Sequence, residues 1–289
     1  MTEEQFRSEI LNYVGEEYDR YLEIRQVIGE MMRIFHCLCD QNDIPYCMAY
    51  GSLLGEIRDG GAIPWDPDMD VIIPIDQLEK LLRVLETQLP DGYFFESNVI
   101  NPHYPYFESR IGKKGYPTGW VHLDIFYLLA VPSGMDPKVF SDRIKKLFHQ
   151  RANWFQAGLS FSESGSETKV GYYARKVLYR VRSHFRTGRS LDREFRKLSQ
   201  AGDYSSAQWL CAMGDMGELY SRDLMEPMEV RMLNGKEMGL PHNPIGVLNT
   251  VYSDYQKYYP IANRYQEFYD WMRAYRKLTG EQQKIHYYR

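Results

Sequence analysis

The chain is poor in cysteine and has no long apolar run. Among 289 residues there are four cysteines, Cys37, Cys39, Cys47 and Cys211. One residue separates the first two, which is not the spacing of a zinc knuckle, and no second pair follows. We therefore predict reduced, mostly buried thiols in a reducing compartment. No apolar run approaches the roughly 20 residues that a membrane-spanning helix needs. The acidic start, MTEEQFRSEI, is unlike a signal peptide, so we predict a cytoplasmic protein.

A basic surface is lacking as well. The formal net charge is -4, from 35 Lys and Arg against 39 Asp and Glu. General nucleic-acid binding favours an excess of positive charge, so we expect no nucleic-acid partner. Hydrophobic residues make up 44% and charged residues 26% of the chain, as in an ordinary globular protein. Its length is sufficient for one large domain or two small ones.

The most informative run covers residues 50–74 and reads YGSLLGEIRDGGAIPWDPDMDVIIP. It contains three carboxylates, Asp66, Asp68 and Asp70, and the last two lead into an apolar, β-branched segment. In a strand, side chains two positions apart point to the same side, so Asp68 and Asp70 are predicted to lie side by side. Two such carboxylates repel each other unless a cation lies between them. Mg²⁺ or Mn²⁺ suits hard oxygen ligands of this kind.

A third carboxylate lies in a second apolar segment, VHLDIFY, at Asp124. Burying an unpaired carboxylate there is costly, and metal ligation would offset that cost. Metal-assisted phosphoryl transfer uses carboxylates from neighbouring strands to hold the metal ions. We therefore predict that Asp68, Asp70 and Asp124 are the catalytic residues and metal ligands. His122 is assigned to the substrate site only because it neighbours Asp124.

The start of the same run suggests a phosphate site. Gly51 and Ser52 follow a short predicted strand and begin a predicted helix, where Ser52 would be the N-cap and backbone N–H groups would hold a phosphate. Arg58, about two turns later, would bind a phosphate bidentately. Asp66 is assigned to the same substrate site. A plain helix cap for Ser52 and a surface charge for Arg58 are the structural alternatives.

Hydrophobic periodicity and turn residues predict a mixed α/β (α+β) fold. We predict helices over residues 3–41, 53–58, 77–88, 140–156, 170–185, 193–198, 245–252 and 264–278. We predict strands over residues 46–50, 69–73, 93–96, 104–111 and 120–127. Asp76 and Glu79 form a predicted capping box, and Asn234-Gly235 is typical of a hairpin turn between residues 224–230 and 236–240.

This pattern predicts a mixed sheet flanked by helices and a mainly helical C-terminal half. We assign residues 1–135 to the catalytic core and residues 136–289 to a helical region that packs on it and completes the active site. A single fold with a helical half fits the pattern equally well. Residues 170–189 carry six basic side chains around an apolar set. They are interpreted either as a helix lying on the inner face of the plasma membrane or as a solvated basic face.

At residues 51–70 the sequence resembles the LicD family of the nucleotidyltransferase superfamily. The family pattern is close to GTLLGAVRHGGFIPWDDDIDI, and the chain reads GSLLGEIRDGGAIPWDPDMD. The later family motif hIDIF is matched by HLDIF at residues 122–126, and a C-terminal P…L…YGDY…P motif is echoed within residues 241–260. Pro67, Glu56 and Ser253 depart from the pattern, but none replaces a predicted metal ligand.

The resemblance implies a nucleotidyltransferase-like fold and a reaction. Such enzymes transfer a phospho-alcohol, such as phosphocholine, from a CDP-activated donor to a sugar hydroxyl of a cell-surface or lipid-linked glycan, for example lipopolysaccharide or teichoic acid, and CMP leaves. Asp68, Asp70 and Asp124 would then hold Mg²⁺ on the diphosphate, and Asp124 would also orient or deprotonate the acceptor. The phosphate oxygens would be bound by Gly51, Ser52 and Arg58.

Two alternatives stay open. A nucleotidyltransferase that moves NMP from an NTP would need the same three carboxylates. A non-catalytic nucleotide-binding module would be expected to lack one of them. If the alcohol is choline, an aromatic cage is expected. The candidates for it are Tyr104, Tyr106, Trp120, Tyr252 and Tyr255.

Overall fold

The computed structural model describes residues 16–66, 68–117, 120–158 and 187–258, together with the isolated positions 8, 177, 181, 263 and 271. The helices predicted over residues 170–185 and 264–278 therefore lie almost entirely outside the described residues. The same holds for the basic segment 170–189, whose contact with a membrane stays a prediction. Within the described part of the chain, no helix is long and apolar enough to cross a membrane.

A mixed sheet of seven strands forms the centre of the described structure. The strands are β1 (Cys47–Met48), β2 (Met69–Pro74), β3 (Tyr93–Glu96), β4 (Ser109–Lys113), β5 (His122–Ala130), β6 (Trp209–Ala212) and β7 (Leu219–Ser221). The order is β1-β2-β5-β4-β3, with β6 paired to the second half of β5 and β7 paired to β6. Only β2 and β5 run parallel among these described pairs.

Helices and a separate hairpin surround this sheet. The helices are α1 (Glu16–Gln41), α2 (Tyr50–Arg58), α3 (Leu78–Gln88), α4 (Pro137–Gly158), α5 (Gly188–Ser199), α6 (Arg222–Met225) and α7 (Pro244–Val251). The hairpin consists of β8 (Glu229–Leu233) and β9 (Lys236–Leu240). The predicted fold class, a mixed sheet flanked by helices, is confirmed.

The core lies where β2 and β5 pack beneath the helices. Val71, Ile73, Leu123 and Ile125 are fully buried. Apolar residues at helical spacing on α1, among them Phe35, cover the sheet. These apolar strand residues therefore fix the register that places the carboxylates at one end of the sheet.

Several local predictions were wrong. Asp76 caps no helix, because the chain leaves β2 directly into a 3₁₀ turn, Ile75–Gln77, and α3 starts after Gln77 without a side-chain cap. The strand predicted over residues 104–111 begins later, at Ser109, and extends to Lys113. The first hairpin strand starts at Glu229 instead of residue 224, because residues 222–225 form a short helix.

Two strands were not predicted from the sequence. They are β6 and β7, which have four and three residues, too short for a periodicity to be visible. Both belong to the half predicted to be mainly helical, and they extend the sheet of the first half through β5.

Candidate active site

Two predicted metal ligands lie opposite each other on neighbouring strands. Asp70 on β2 is in register with Asp124 on β5, and both lie near the start of their strands. Asp68 immediately precedes β2, two positions before Asp70. Since residues two apart share a side of a strand, the sheet brings all three carboxylates to one end.

The electrostatic surroundings of Asp70 oppose its ionisation. Burial raises the pKa of Asp70 well above its usual value, and the charges of Asp68 and Asp124 raise it further. Within the described residues, however, no three His, Cys, Asp or Glu side chains stand at the spacing of a metal site. The three carboxylates therefore interact through space without forming a closed ligand set.

The sequence analysis missed Arg110, which lies beside Asp124 on the side away from Asp70. Arg110 on β4 is in register with Asp124, and its Nε donates a hydrogen bond to Asp124 Oδ1 at 2.6 Å. Its Nη2 lies 3.5 Å from Asp124 Oδ2 and 3.6 Å from Glu108 Oε1. Tyr106 covers the guanidinium, with the ring centroid 4.2 Å away. The strand predicted over residues 104–111 already placed Glu108 and Arg110 on one side, but its pairing with β5 was not visible in the sequence.

Glu108 is a fourth carboxylate of this site and also went unpredicted. Its side chain is 4% exposed, and its Oε2 has no hydrogen-bond partner. Burial, followed by the charge of Asp124, raises the pKa of Glu108 to about 7, against the effect of Arg110. We call the set Asp68, Asp70, Glu108 and Asp124 the acid face.

Asp124 is the best-compensated member of the acid face. His122 Nε2 lies 3.3 Å from its Oδ2, so the predicted neighbour does contact it. Burial disfavours the charged form of Asp124, but the hydrogen bond from His122 and the charge of Arg110 outweigh burial and lower its pKa. Arg110 and His122 thus compensate one carboxylate well, and negative charge remains in excess over the rest of the acid face.

Ser52 is not the N-cap that the sequence predicted. Helix α2 begins earlier, at Tyr50, and its N-cap is Ala49. Tyr50 takes a positive φ of 43°, which turns the chain from β1 into the helix. Ser52 therefore lies buried in the first turn, where its Oγ accepts a hydrogen bond of 2.8 Å from the N–H of Asp70. Its hydroxyl joins α2 to β2, the strand that carries Asp70.

Gly51 is required by the position of Asp66. A Cβ at residue 51 would lie 2.2 Å from Asp66 Oδ2, so any other residue here would displace the Asp66 side chain from its present position. Arg25 of α1 holds the intervening loop by donating hydrogen bonds of 3.1 Å to the carbonyls of Ala62 and Pro64. Asp66 is thus held over the first turn of α2.

Arg58 binds protein groups. Its Nε and Nη2 donate to the Asp59 carboxylate at 3.0 and 2.8 Å. Its guanidinium stacks on Tyr258, with the ring centroid 4.2 Å away, and its Nη1 lies 3.5 Å from the carbonyl oxygen of Tyr255. Tyr258 in turn donates a hydrogen bond to Asp59. Arg58 therefore fastens α2 to the segment that follows α7.

A cavity of about 270 Å³ lies between α2 and this segment. Three predicted site residues, Gly51, Arg58 and Asp66, line this cavity, and so do residues from the segment 252–257. Its lining consists of Gly51, Leu54, Arg58, Ile63, Trp65, Asp66, Tyr252, Ser253, Asp254, Tyr255 and Lys257. Asp68, Asp70 and Asp124 do not line it, so the predicted site has two parts, the acid face and this cavity. We call it the α2 cavity.

Two of the five cage candidates line this cavity, Tyr252 and Tyr255. Tyr104 is buried, and Tyr106 covers Arg110. Trp120 packs edge-on against Trp271.

Comparison with known proteins shows a family similarity over the part of the chain that carries the acid face. Residues 43–162 match the family model described as LicD/FKTN/FKRP, nucleotidyltransferase domain. The lipopolysaccharide cholinephosphotransferase LicD of Haemophilus influenzae is 36% identical over 126 residues, which are 40% of this chain and 46% of that protein. The match thus spans about half the length of this curated relative. The resemblance to the LicD family seen at residues 51–70 and 122–126 is confirmed, and it extends over residues 43–162 of the chain.

Proposed function

We propose that the chain is a metal-dependent phosphotransferase. It moves a phospho-alcohol from a CDP-activated donor to a sugar hydroxyl of a cell-surface glycan and releases CMP. The observation that carries this proposal is the register of Asp70 with Asp124, where burial and two neighbouring carboxylates oppose the ionisation of Asp70. Phosphocholine is the first candidate for the transferred group, because the matched relative is a cholinephosphotransferase.

A divalent cation fits the chemistry of the acid face. Proton uptake, which the raised pKa of Asp70 favours, and cation binding are two ways to remove the same repulsion. Asp68, Asp70 and Asp124 would hold Mg²⁺ or Mn²⁺, which prefer carboxylate oxygens. When bound, the ion would neutralise the diphosphate of the donor.

The chain's own residues then align and deprotonate the acceptor. The acceptor oxygen forms a bond to the donor's terminal phosphorus while the bond from that phosphorus to the CMP oxygen breaks. Asp124, whose lowered pKa keeps it ionised, accepts the hydroxyl proton. Arg110, fixed beside Asp124, offers a planar guanidinium to the phosphoryl oxygens.

Product analysis of the Asp70→Asn variant tests this proposal. The wild-type chain should bind Mg²⁺ and release CMP from at least one of CDP-choline, CDP-ethanolamine, CDP-ribitol and CDP-glycerol. A thermal-shift screen first selects the donor, since a ligand of the native state raises the melting temperature. Asp70→Asn should abolish CMP release and weaken Mg²⁺ binding, and Asp76→Asn, just beyond β2, should change neither. Full activity in Asp70→Asn would refute the mechanism.

Transfer of NMP from an NTP is the second candidate, because the matched family model is described as a nucleotidyltransferase domain. This reaction would release pyrophosphate, whereas the proposed reaction releases CMP. Incubation with each NTP and with CDP-choline, followed by separation of the products, decides between the two. The presence of all three carboxylates counts against a non-catalytic module.

A further inference from the structure

We propose that the outer side of α4 and α5 is a docking surface for an anionic lipid bilayer. This inference goes beyond the proposed function and does not depend on it, because binding to lipid is measured without donor or acceptor. Docking there would place the chain at the surface where a lipid-linked glycan lies.

Positive charge is concentrated in one part of the chain. Residues 137–199 hold 15 of the 35 Lys and Arg but only five of the 39 Asp and Glu. This segment is therefore strongly basic, although the whole chain has a net charge of -4. Such an asymmetry is typical of proteins that bind an anionic surface or a polyanion.

The two helices that flank this segment pack side by side on the core. Arg151 of α4 lies 3.0 Å from the carboxylate of Asp192 on α5 and donates a hydrogen bond to the carbonyl of Gly188. The apolar side of each helix is buried, with Phe140 on α4 and Phe195 on α5 almost fully enclosed. The opposite side of each helix therefore faces solvent.

The solvent side of both helices is rich in exposed cations. Those of α5 follow each other at positions i, i+4, i+7 and i+8, which is the spacing of one helical face. Among the described residues of the two helices, Asp142 and Glu194 are the acids that are not buried. We call six of these cations the basic face: Arg143, Lys146, Arg189, Arg193, Arg196 and Lys197.

Exposed valines accompany these cations and favour a bilayer as the partner. Val139, one turn before Arg143 on α4, is 49% exposed, and Val177 and Val181, in the segment between the two helices, are 59% and 54% exposed. A nucleic acid or a polyanionic glycan would pair with the cations and leave the valines in water. A bilayer accepts both, since its head groups attract the cations and its interface takes up apolar side chains.

Sedimentation of the full chain with lipid vesicles tests this inference. Wild type should bind vesicles of equimolar phosphatidylcholine and phosphatidylglycerol far better than vesicles of phosphatidylcholine alone, and added salt should weaken the binding. Joint replacement of Arg193, Arg196 and Lys197 by Gln should weaken it about a hundredfold, because each cation near an anionic surface contributes roughly fivefold.

A matched control separates the basic face from the overall charge. Arg33, Arg83 and Lys114 are exposed cations outside residues 137–199. Their joint replacement by Gln changes the net charge equally and should leave vesicle binding nearly unchanged. Equal losses in the two triple variants would overturn the inference, and so would a wild-type chain that does not sediment with the anionic vesicles.

The valines distinguish a bilayer from a soluble polyanion. Joint replacement of Val177 and Val181 by Ser should weaken vesicle binding several-fold and leave the binding of heparin and duplex DNA unchanged. If heparin or DNA binds as tightly as the vesicles at the same salt concentration, and the valine variant binds vesicles as wild type does, the surface is a polyanion site and the inference fails. Failure of the proposed function gives a different result, because a chain that binds vesicles but releases no CMP from any CDP-alcohol would retain the docking surface and lose the reaction.

Discussion

Two buried arginines differ in what surrounds them. Arg151 on α4 has a side chain that is 1% exposed, and its Nη1 lies 3.0 Å from Asp192 Oδ1. It also donates hydrogen bonds to the carbonyls of Pro102, Tyr104 and Gly188. One cation thus meets one carboxylate and three neutral acceptors, so its charge is balanced within the protein.

Arg110 lies instead among the carboxylates of the acid face. Asp124 and Glu108 compete for its guanidinium, and Glu108 keeps one oxygen without a partner. Asp70 is left with a raised pKa. The comparison teaches that a buried charge matched by its partners belongs to the structure, whereas buried carboxylates that outnumber their partners mark a candidate functional site.

The largest expected change in the free energy of unfolding is at Arg151. Arg151→Met should lower the free energy of unfolding by about 3–5 kcal/mol, because Asp192 would stay buried without its cation. Urea denaturation monitored by circular dichroism measures this change. Arg143→Ala, an exposed position on the same helix, is the control and should stay within about 0.5 kcal/mol of wild type. A loss of similar size in both variants would contradict the assigned role.

Replacement of Glu108 should raise the free energy of unfolding, whereas replacement of Arg151 lowers it. The size of this gain should depend on pH. Its pKa is raised from 4.5 to about 7 in the folded chain, so between these values only the folded state keeps the proton. The contribution of Glu108 to the free energy of unfolding therefore falls as the pH rises from about 4.5 to about 7, and it is constant at higher pH. Glu108→Gln removes this penalty, and its gain over wild type should grow from near zero at pH 4.5 to about 3 kcal/mol at pH 8 in metal-free buffer.

Denaturation at a series of pH values tests the prediction for Glu108. The control is Glu79→Gln, whose glutamate is exposed on α3. The difference between Glu79→Gln and wild type should be flat with pH. A flat difference for Glu108→Gln would show that Arg110 already compensates this carboxylate fully.

Asp70 carries a penalty that a cation should reverse. Its pKa is raised by burial, Asp68 and Asp124, so in chelator the Asp70→Asn variant should be more stable than wild type at neutral pH. The gain arises because the variant no longer buries a charge that Asp68 and Asp124 repel. Added Mg²⁺ should stabilise wild type and not the variant. Thermal melts with and without Mg²⁺ measure both effects, and a wild type indifferent to Mg²⁺ would contradict the metal site.

Sequence reasoning selected those parts of the candidate site that depend on local spacing. The alternation of Asp68 and Asp70 and the apolar context of Asp124 were enough to select three carboxylates, and the sheet then placed two of them in register. Arg110 and Glu108 were missed, because their role arises from pairing across strands, which local periodicity does not reveal.

Other features depend on still longer-range contacts. The α2 cavity needs residues 252–257, about 200 positions after Gly51, and the sequence linked the two only through a family motif. The error at Ser52 was local, because nothing in the sequence indicates the positive φ of Tyr50 that starts α2 early. Glu56 departs from the family pattern, and the structure gives the reason, because it binds the tip of the β8–β9 hairpin.

The smallest expected change in stability concerns Glu56. This residue refines the comparison of buried charges, because it is a buried carboxylate with partners. It is 2% exposed, and Asn234 Nδ2 donates hydrogen bonds of 2.9 Å to both its carbonyl and its Oε2. Asn234→Gly should lower the unfolding free energy by about 1 kcal/mol, since these bonds are lost while glycine accepts the φ of 52° at this turn. This change in unfolding free energy is opposite in sign to that for Asp70→Asn. Asn234→Gly removes a hydrogen-bond partner, whereas Asp70→Asn removes a repulsion.

Comparison with Asn234→Ala separates the side-chain bonds from the backbone. Alanine also removes the bonds to Glu56 but resists a positive φ, so it should cost about 1 kcal/mol more than glycine. Urea denaturation of both variants gives the two contributions. If Asn234→Gly is as stable as wild type, the hairpin tip contributes nothing to holding Glu56. In that case a buried carboxylate on α2 would be tolerated without a full set of partners, and burial with incomplete pairing would no longer distinguish the acid face from the rest of the molecule.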